Sequence, residues 1–392
     1  MTQKTNSTFS HLKCSKCNIK YSKTDIYNLS PCCTLPLFPQ YDLEKAKSIL
    51  HKRDLKSRES NMWRYREIMP VEFKENIISL GEGWTPLVQA NRLGGSLGFS
   101  NLYLKNESIN PTGSFKDRGM SVAISKAKEF HLKNIAIPTA GNAGGSAAAY
   151  AAKAGQEAFI FMPNDTPKAF QVECDQYGAH VEMIDGLISD CGKIVGERKE
   201  KEGWFDISTL KEPYRVEGKK TMGYELAEQF NWELPDAIIY PTGGGTGLIG
   251  MWKAFDEMET MGWIGSHRPK MISVQSEGCA PIVDAFDQGL DCAQPFQNPK
   301  TSALGLRVPS AVGDFLILNS IRQSEGVALS VTDNELMTGT KQIGSSEGIF
   351  SAPEGGATVA ALPKLLDRGI IKPNDQIVLF ITGSGLKYVD LF

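Results

Sequence analysis

The sequence predicts an α/β fold with largely parallel sheets, preceded by a short cysteine-bearing arm. Three observations carry this. From about Ile77 onward, short apolar runs alternate with amphipathic stretches. Glycines gather where an apolar run gives way to a helical pattern, which is where parallel sheets place their ligand sites. Four of the eight cysteines fall within the first 33 residues. At roughly 150 residues per domain, the 392 residues make about two to three domains.

Residues 1–40 show no helical period and form the arm. Residues 41–69 are charged and helix-like until Pro70 breaks the pattern. Strands are expected at 102–104, 135–137, 158–162, 181–184, 237–240, 271–274 and 376–380, with helices at 117–130, 146–154 and 170–177. No internal repeat or low-complexity tract interrupts this order.

Composition narrows the function classes. Lys plus Arg is 42 and Asp plus Glu is 45, a net charge of −3. That balance argues against a chain built mainly to hold nucleic acid or an anionic membrane. No run approaches the ~18 apolar residues of a spanning helix, and the first residues lead into no apolar signal core. A cytoplasmic chain is therefore expected, with cysteines as thiols or metal ligands rather than disulfides. Cys174, Cys191, Cys279 and Cys292 are scattered, as packing residues would be.

Four segments carry chemistry. In Asn110-Pro111-Thr112-Gly113-Ser114-Phe115-Lys116-Asp117-Arg118-Gly119 a Pro/Gly turn runs into a helix with Ser114 as N-cap. Lys116 then sits in the first turn, where the helix dipole and Arg118 disfavour its protonated form and favour a nucleophilic amine; the alternative is a solvated lysine. In Thr139-Ala140-Gly141-Asn142-Ala143-Gly144-Gly145-Ser146 a glycine turn follows a strand, and Asn142 adds an amide donor; close crossover packing is the alternative. In Thr242-Gly243-Gly244-Gly245-Thr246-Gly247 four glycines in five positions cost much backbone entropy, which suits a phosphate held by N–H groups at a helix start. Gly245, Gly247 and Gly250 also match a dinucleotide spacing, but no acidic residue follows at the required distance, and no P-loop ending exists. In Thr382-Gly383-Ser384-Gly385-Leu386-Lys387 two hydroxyls sit on a turn after a strand; an ordinary hydroxyl turn is the alternative.

A phosphate cradle, a reactive lysine, an amide and a neutral hydroxyl together suggest pyridoxal phosphate. Lys116 would form the Schiff base, and Thr382 or Ser384 would meet the ring nitrogen. A neutral partner there favours eliminations and replacements over transamination.

Residues about 76–392 resemble the threonine synthases, within the tryptophan-synthase-β-like, fold type II pyridoxal-phosphate enzymes. The resemblance rests on residues 111–119, on Leu80-Gly81-Glu82-Gly83-Trp84-Thr85-Pro86-Leu87 and on residues 382–387, in the family's order. It implies that Lys116 is the cofactor lysine, that Asn142 contacts the cofactor's 3-oxygen, that Gly243, Gly244, Gly245, Thr246 and Gly247 hold its phosphate, and that Thr382 meets the ring nitrogen. The implied lyase reaction converts O-phospho-L-homoserine and water to L-threonine and phosphate. Ser114, Arg215 and Lys219 are the candidate substrate ligands. The family's Asn-rich phosphate stretch is altered here to Ser208-Thr209-Leu210-Lys211-Glu212-Pro213-Tyr214-Arg215. That departure keeps open another fold type II reaction, such as serine/threonine dehydration or a cysteate synthase-like β-replacement. A catalytically silent binding homologue is disfavoured by the intact Lys116.

The resemblance also implies two α/β lobes with the cofactor between them: a large lobe at 41–111 and 222–392, and a small mobile lobe at 112–221. Family members are often dimers, so a homodimer is expected. The arm resembles a zinc ribbon, with Cys14 and Cys17 as one knuckle and Cys32 and Cys33 as the other, and Ser30 where a third cysteine usually stands. Adjacent Cys32 and Cys33 would strain one tetrahedron, so a metal-free ribbon is the alternative to zinc.

Overall fold

A computed structural model describes residues 3–392. It contains three sheets. The arm is a three-stranded antiparallel sheet in which Phe9–Cys14 lies between Lys20–Tyr21 and Leu37–Tyr41. A six-stranded sheet runs in the order 328–331, 270–276, 237–241, 376–381, 101–106, 87–89, parallel except at its last edge. A four-stranded parallel sheet runs 180–184, 157–163, 134–138, 205–206.

The parallel strands read as unbroken apolar runs because both faces of their sheets are covered. Ile238, Tyr240, Val378 and Phe380 point into a core with Leu226, Met251 and Ile317 from the helices Arg215–Gln229, Thr246–Thr260 and Asp314–Gln323. The alternate residues Ile239, Ile377, Leu379 and Ile381 face Leu336, Ile343 and Leu362 on the opposite side. The smaller sheet repeats the scheme: Ile135, Ile137 and Ile160 pack on the helices Lys116–Glu129 and Asn142–Ala154, and Ala136 and Phe161 on Cys191, Val195 and Trp204.

Residues 41–69 depart from the expected helix. Only Leu43–Ile49 and Lys52–Leu55 are α-helical, and Met62–Ile68 is a 3-10 segment. Such short pieces have little stability of their own; Ala46, Leu55, Tyr65 and Ile68 hold them by docking into the large core. The Ala-rich helix starts at Asn142 rather than Ser146, so the Gly144-Gly145 pair lies within its first turn.

Two features place the arm and the lobes. Phe9, Leu12, Cys14 and Leu37 of the arm pack against Val122 and Ala123 of the helix that begins at Lys116, and against Tyr214. The expected lobe boundary at 221/222 falls inside the helix Arg215–Gln229. Among the described residues no helix is long and apolar enough to cross a membrane.

Candidate active site

The site forms where four loops meet. Residues 113–115 and 382–384 are stitched together. Phe115 N–H donates to Thr382 O at 2.9 Å, Ser384 N–H donates to Gly113 O at 2.9 Å, and Ser114 bridges to Gly383. The Asn142 amide stands beside the same turn, since a Cβ on Gly383 would lie 3.5 Å from Asn142 Nδ2. The Phe115 ring meets Tyr240, the strand residue that leads into the glycine run, edge-on at 6.1 Å.

Lys116 opens its helix and is half-buried. Phe115, not Ser114, stands at the N-cap position and makes no side-chain cap bond; Ser114 lies one residue earlier, and its Oγ accepts from Lys116 N–H at 3.3 Å. Burial and then the Arg215 guanidinium push the Lys116 amine down to about 8, against the pull of Glu354. The expected influence of Arg118 is not what the structure shows. Residues two apart on a helix point in different directions. Arg118 turns inward to Glu107 (2.6 Å) and Glu225 (2.5 Å), all three side chains fully buried.

Arg215 and Lys219 lie on the first turns of the helix Arg215–Gln229 and are also buried. Arg215 Nη1 donates to Ile207 O at 2.8 Å, and its Nε finds no partner. Lys219 Nζ donates to Phe115 O and sits 4.2 Å from the Phe115 ring centre. Burial, then Lys116 and Arg215, hold Lys219 well below its ordinary value. Among the described residues none of Lys116, Arg215 and Lys219 forms an ion pair. The site therefore gathers positive charge with no carboxylate in ion-pair contact, Glu354, Glu212 and Asp206 acting only from farther off, an arrangement that favours an anionic ligand.

The glycine run is a cradle. Gly245 takes the left-handed conformation (φ 71°) as N-cap of the helix Thr246–Thr260. Among the described residues no N–H group from Gly243 to Gly247 reaches a protein acceptor outside the helix. A Cβ at Gly243 would strike Gly305 O, and one at Gly244 would stand 2.8 Å from Thr209 Cγ2. Orphan donors at a helix start with no room for side chains suit a phosphate. Asn142 Oδ1 is buried without a partner, while its Nδ2 donates to Tyr388 Oη at 3.2 Å. Ser384 Oγ is taken by Leu386 N–H, whereas Thr382 Oγ1 has no protein partner among the described residues. Of the two hydroxyls the sequence offered, Thr382 is the free one. These groups fit a flat phosphorylated pyridine: an anion cradle, a side-chain amide with one end unpartnered, a hydroxyl and an amine.

Sequence reasoning missed Tyr388 and Glu354. The Tyr388 hydroxyl lies between Asn142 Nδ2 and Glu354 Oε1 (3.3 Å), and Gly305 N–H donates to that same oxygen at 2.7 Å. Two glycines, Gly355 and Gly356, follow Glu354 in the chain. Gly356 is there because the helix Asp333–Glu347 comes close, and a Cβ would strike Leu336 O.

In the arm, the sulfurs of Cys14, Cys17, Cys32 and Cys33 all lie within 4.8 Å of one another. The turn therefore brings the adjacent Cys32 and Cys33 to one point, which the sequence argued against. Ser30 Oγ accepts from Cys14 Sγ at 3.4 Å. Cys174, Cys191 and Cys279 are buried packing residues, whereas Cys292 is exposed.

Residues 78–383 match the pyridoxal-phosphate dependent enzyme family. The threonine synthase of Methanocaldococcus jannaschii is 36% identical over 379 residues, covering 96% of this chain and 93% of that one. The threonine synthase of Halalkalibacterium halodurans is 33% identical over 324 residues, 82% of this chain and 88% of that one. The chain belongs to the pyridoxal-phosphate-dependent enzymes and, within them, to the threonine synthase family. Among solved structures, a processed threonine deaminase from Solanum lycopersicum superposes with a TM-score of 0.65 at 22% identity, over 78% of this chain and 85% of that one. Maize serine racemase gives 0.66 at 22%, over 78% and 91%. The fold is thus that of the fold type II enzymes, as expected.

Proposed function

We propose that the chain is a lyase that converts O-phospho-L-homoserine and water into L-threonine and inorganic phosphate. The observation that carries the choice of a phosphorylated substrate is the cluster of Lys116, Arg215 and Lys219, three cations without a carboxylate partner.

Pyridoxal phosphate, when bound, supplies the electron sink that makes protons on the substrate's α and β carbons labile. The chain's residues do the rest. The N–H groups of residues 243–247 would hold the cofactor's phosphate, the Asn142 side-chain amide would orient its 3-oxygen, and the Thr382 hydroxyl would donate to the ring nitrogen without charging it. Lys116 Nζ, already shifted toward its neutral form by burial, accepts the proton from Cα and later one from Cβ. Arg215 and Lys219 receive the phosphate as its bond to Cγ breaks, stabilising the charge it carries away. Ser114 fixes the start of the lysine helix beside them. A proton is returned to Cγ, which becomes the methyl carbon; water adds its oxygen at Cβ and releases one proton; a proton returned to Cα completes threonine, and the one left over leaves on the phosphate. The part of the small lobe built on the sheet at 134–206, which carries Asn142, closes over the substrate and keeps bulk water out.

Purified protein incubated with O-phosphohomoserine should release threonine and phosphate in equal amounts. Ammonia and 2-oxobutyrate from threonine, with no phosphate release, would replace this reading with dehydration.

For the arm we infer zinc. The ion needs four sulfurs about 2.3 Å from one centre, and four sulfurs within 4.8 Å of one another meet that need. Metal analysis should find one zinc per chain, lost in Cys14→Ser.

A further inference from the structure

The cysteine arm reaches the segment that carries the substrate-phosphate cations. Asn28 lies between the two cysteine knuckles. Its Nδ2 donates to two main-chain carbonyls, Asp206 O at 2.7 Å and Lys211 O at 3.0 Å, and its Oδ1 accepts from Lys199 Nζ at 3.3 Å. One amide therefore ties both ends of residues 206–211. The other side of that segment faces the site. Arg215 Nη1 bonds to Ile207 O and, at 3.3 Å, to Thr209 Oγ1, and Thr209 abuts the cradle at Gly244.

The segment needs holding. Leu210, a bulky residue, adopts the left-handed conformation at φ 60°, which an L side chain resists unless its surroundings enforce it. It sits between the two carbonyls that Asn28 grips. A second arm residue grips the helix that carries Arg215: the Tyr41 hydroxyl donates to Glu217 at 2.6 Å, and Glu217 pairs with Lys220 at 2.6 Å and with Lys253 of the cradle helix at 2.9 Å.

We propose that Asn28 is a positioning residue for the substrate's phosphate: by clamping residues 206–211 it fixes the Arg215 guanidinium, so the arm completes the substrate subsite from behind. This rests on the reading of Arg215 as a ligand of that phosphate.

The test uses the cofactor-loaded full chain and two probes. One is inorganic phosphate as a competitive inhibitor, and the other is L-threonine, which has no phosphate, followed by its effect on the cofactor's absorbance. Asn28→Ala should weaken phosphate inhibition and raise KM for O-phosphohomoserine roughly three- to tenfold, the weight of one or two oriented hydrogen bonds. It should leave kcat within about twofold, and threonine affinity and cofactor absorbance unchanged. Asn28→Asp keeps the volume but turns an acceptor toward both carbonyls. It should weaken phosphate at least as much, and it serves if the alanine variant does not fold. On an Arg215→Ala background, Asn28→Ala should add nothing to the loss. The proposal is overturned if phosphate and threonine weaken together, which a merely structural anchor would produce, or if phosphate inhibition stays as in the wild type. If Arg215→Ala itself leaves phosphate inhibition intact, it is the underlying reading of Arg215 that fails.

Discussion

Two clusters of buried charge share the helix Lys116–Glu129, and they are composed differently. Around Arg118 the ledger is balanced: Glu107 and Glu225 face Arg118 and Lys105, with every side chain at zero exposure. The carboxylates outweigh the burial and hold Arg118 well above its ordinary range. Around Lys116 the balance is missing: Lys116, Arg215 and Lys219 are all held down, first by burial. Burial of charge alone does not mark a site. Burial of like charges with no carboxylate in ion-pair contact does, because such a cluster is completed by an anion from outside.

Substitutions can break this contrast. Lys116→Ala should lower turnover by about 10²–10⁴-fold or more and abolish the visible absorbance of bound cofactor. An unchanged spectrum would show that the functional cluster has been misassigned. Arg118→Ala, which strands two buried carboxylates, should cost about 3–5 kcal/mol in denaturant unfolding of the cofactor-free chain. Arg215→Ala should do the reverse: phosphate inhibition weakened roughly tenfold or more, with no comparable loss of stability. Equal stability losses at 118 and 215 would erase the distinction.

The pH dependence sharpens it further. In the folded, cofactor-free chain Lys116 sits at about 8, against an ordinary 10.5 when unfolded. Between those values the unfolded chain binds the extra proton, so the Lys116 contribution to stability rises with pH across that window. Denaturant midpoints of wild type and Lys116→Met, compared at pH 8 and pH 10, should show a larger gain for the wild type. A smaller effect than at Arg118 is expected where a charged pair keeps some exposure. Lys387 pairs with Glu173 at 2.8 Å, the two side chains 16% and 14% exposed, and Lys387→Ala should cost about 1–3 kcal/mol in the same unfolding assay.

Much of this was legible in sequence because the signals are local. A turn of Pro111 and Gly113 before Lys116, four glycines before a helix, and two cysteine pairs each announce a device within about ten residues. What escaped is what depends on direction or distance. Arg118 was misread because a two-residue step on a helix reverses the side chain's aim. The short strands Leu87–Gln89 and Ala328–Val331 carry too few residues for a pattern. Tyr388 meets Asn142 across 246 positions, and Asn28 meets Asp206 across 178. No spacing rule connects residues so far apart, and only the packing of the two sheets brings them together.

The pairing of residues 113–115 with 382–384 has a further consequence. The strand 376–381 lies between 101–106 and 237–241 in the same sheet. A chain growing on the ribosome can form its small sheet from residues 134–206 early, but the lysine loop has no partner until about 270 residues later, since 383 − 114 is 269. Contacts of such separation close slowly. Nascent chains that stop before about residue 384 should therefore hold their small sheet but not the cofactor, so cofactor uptake has to wait for the turn at 382–384.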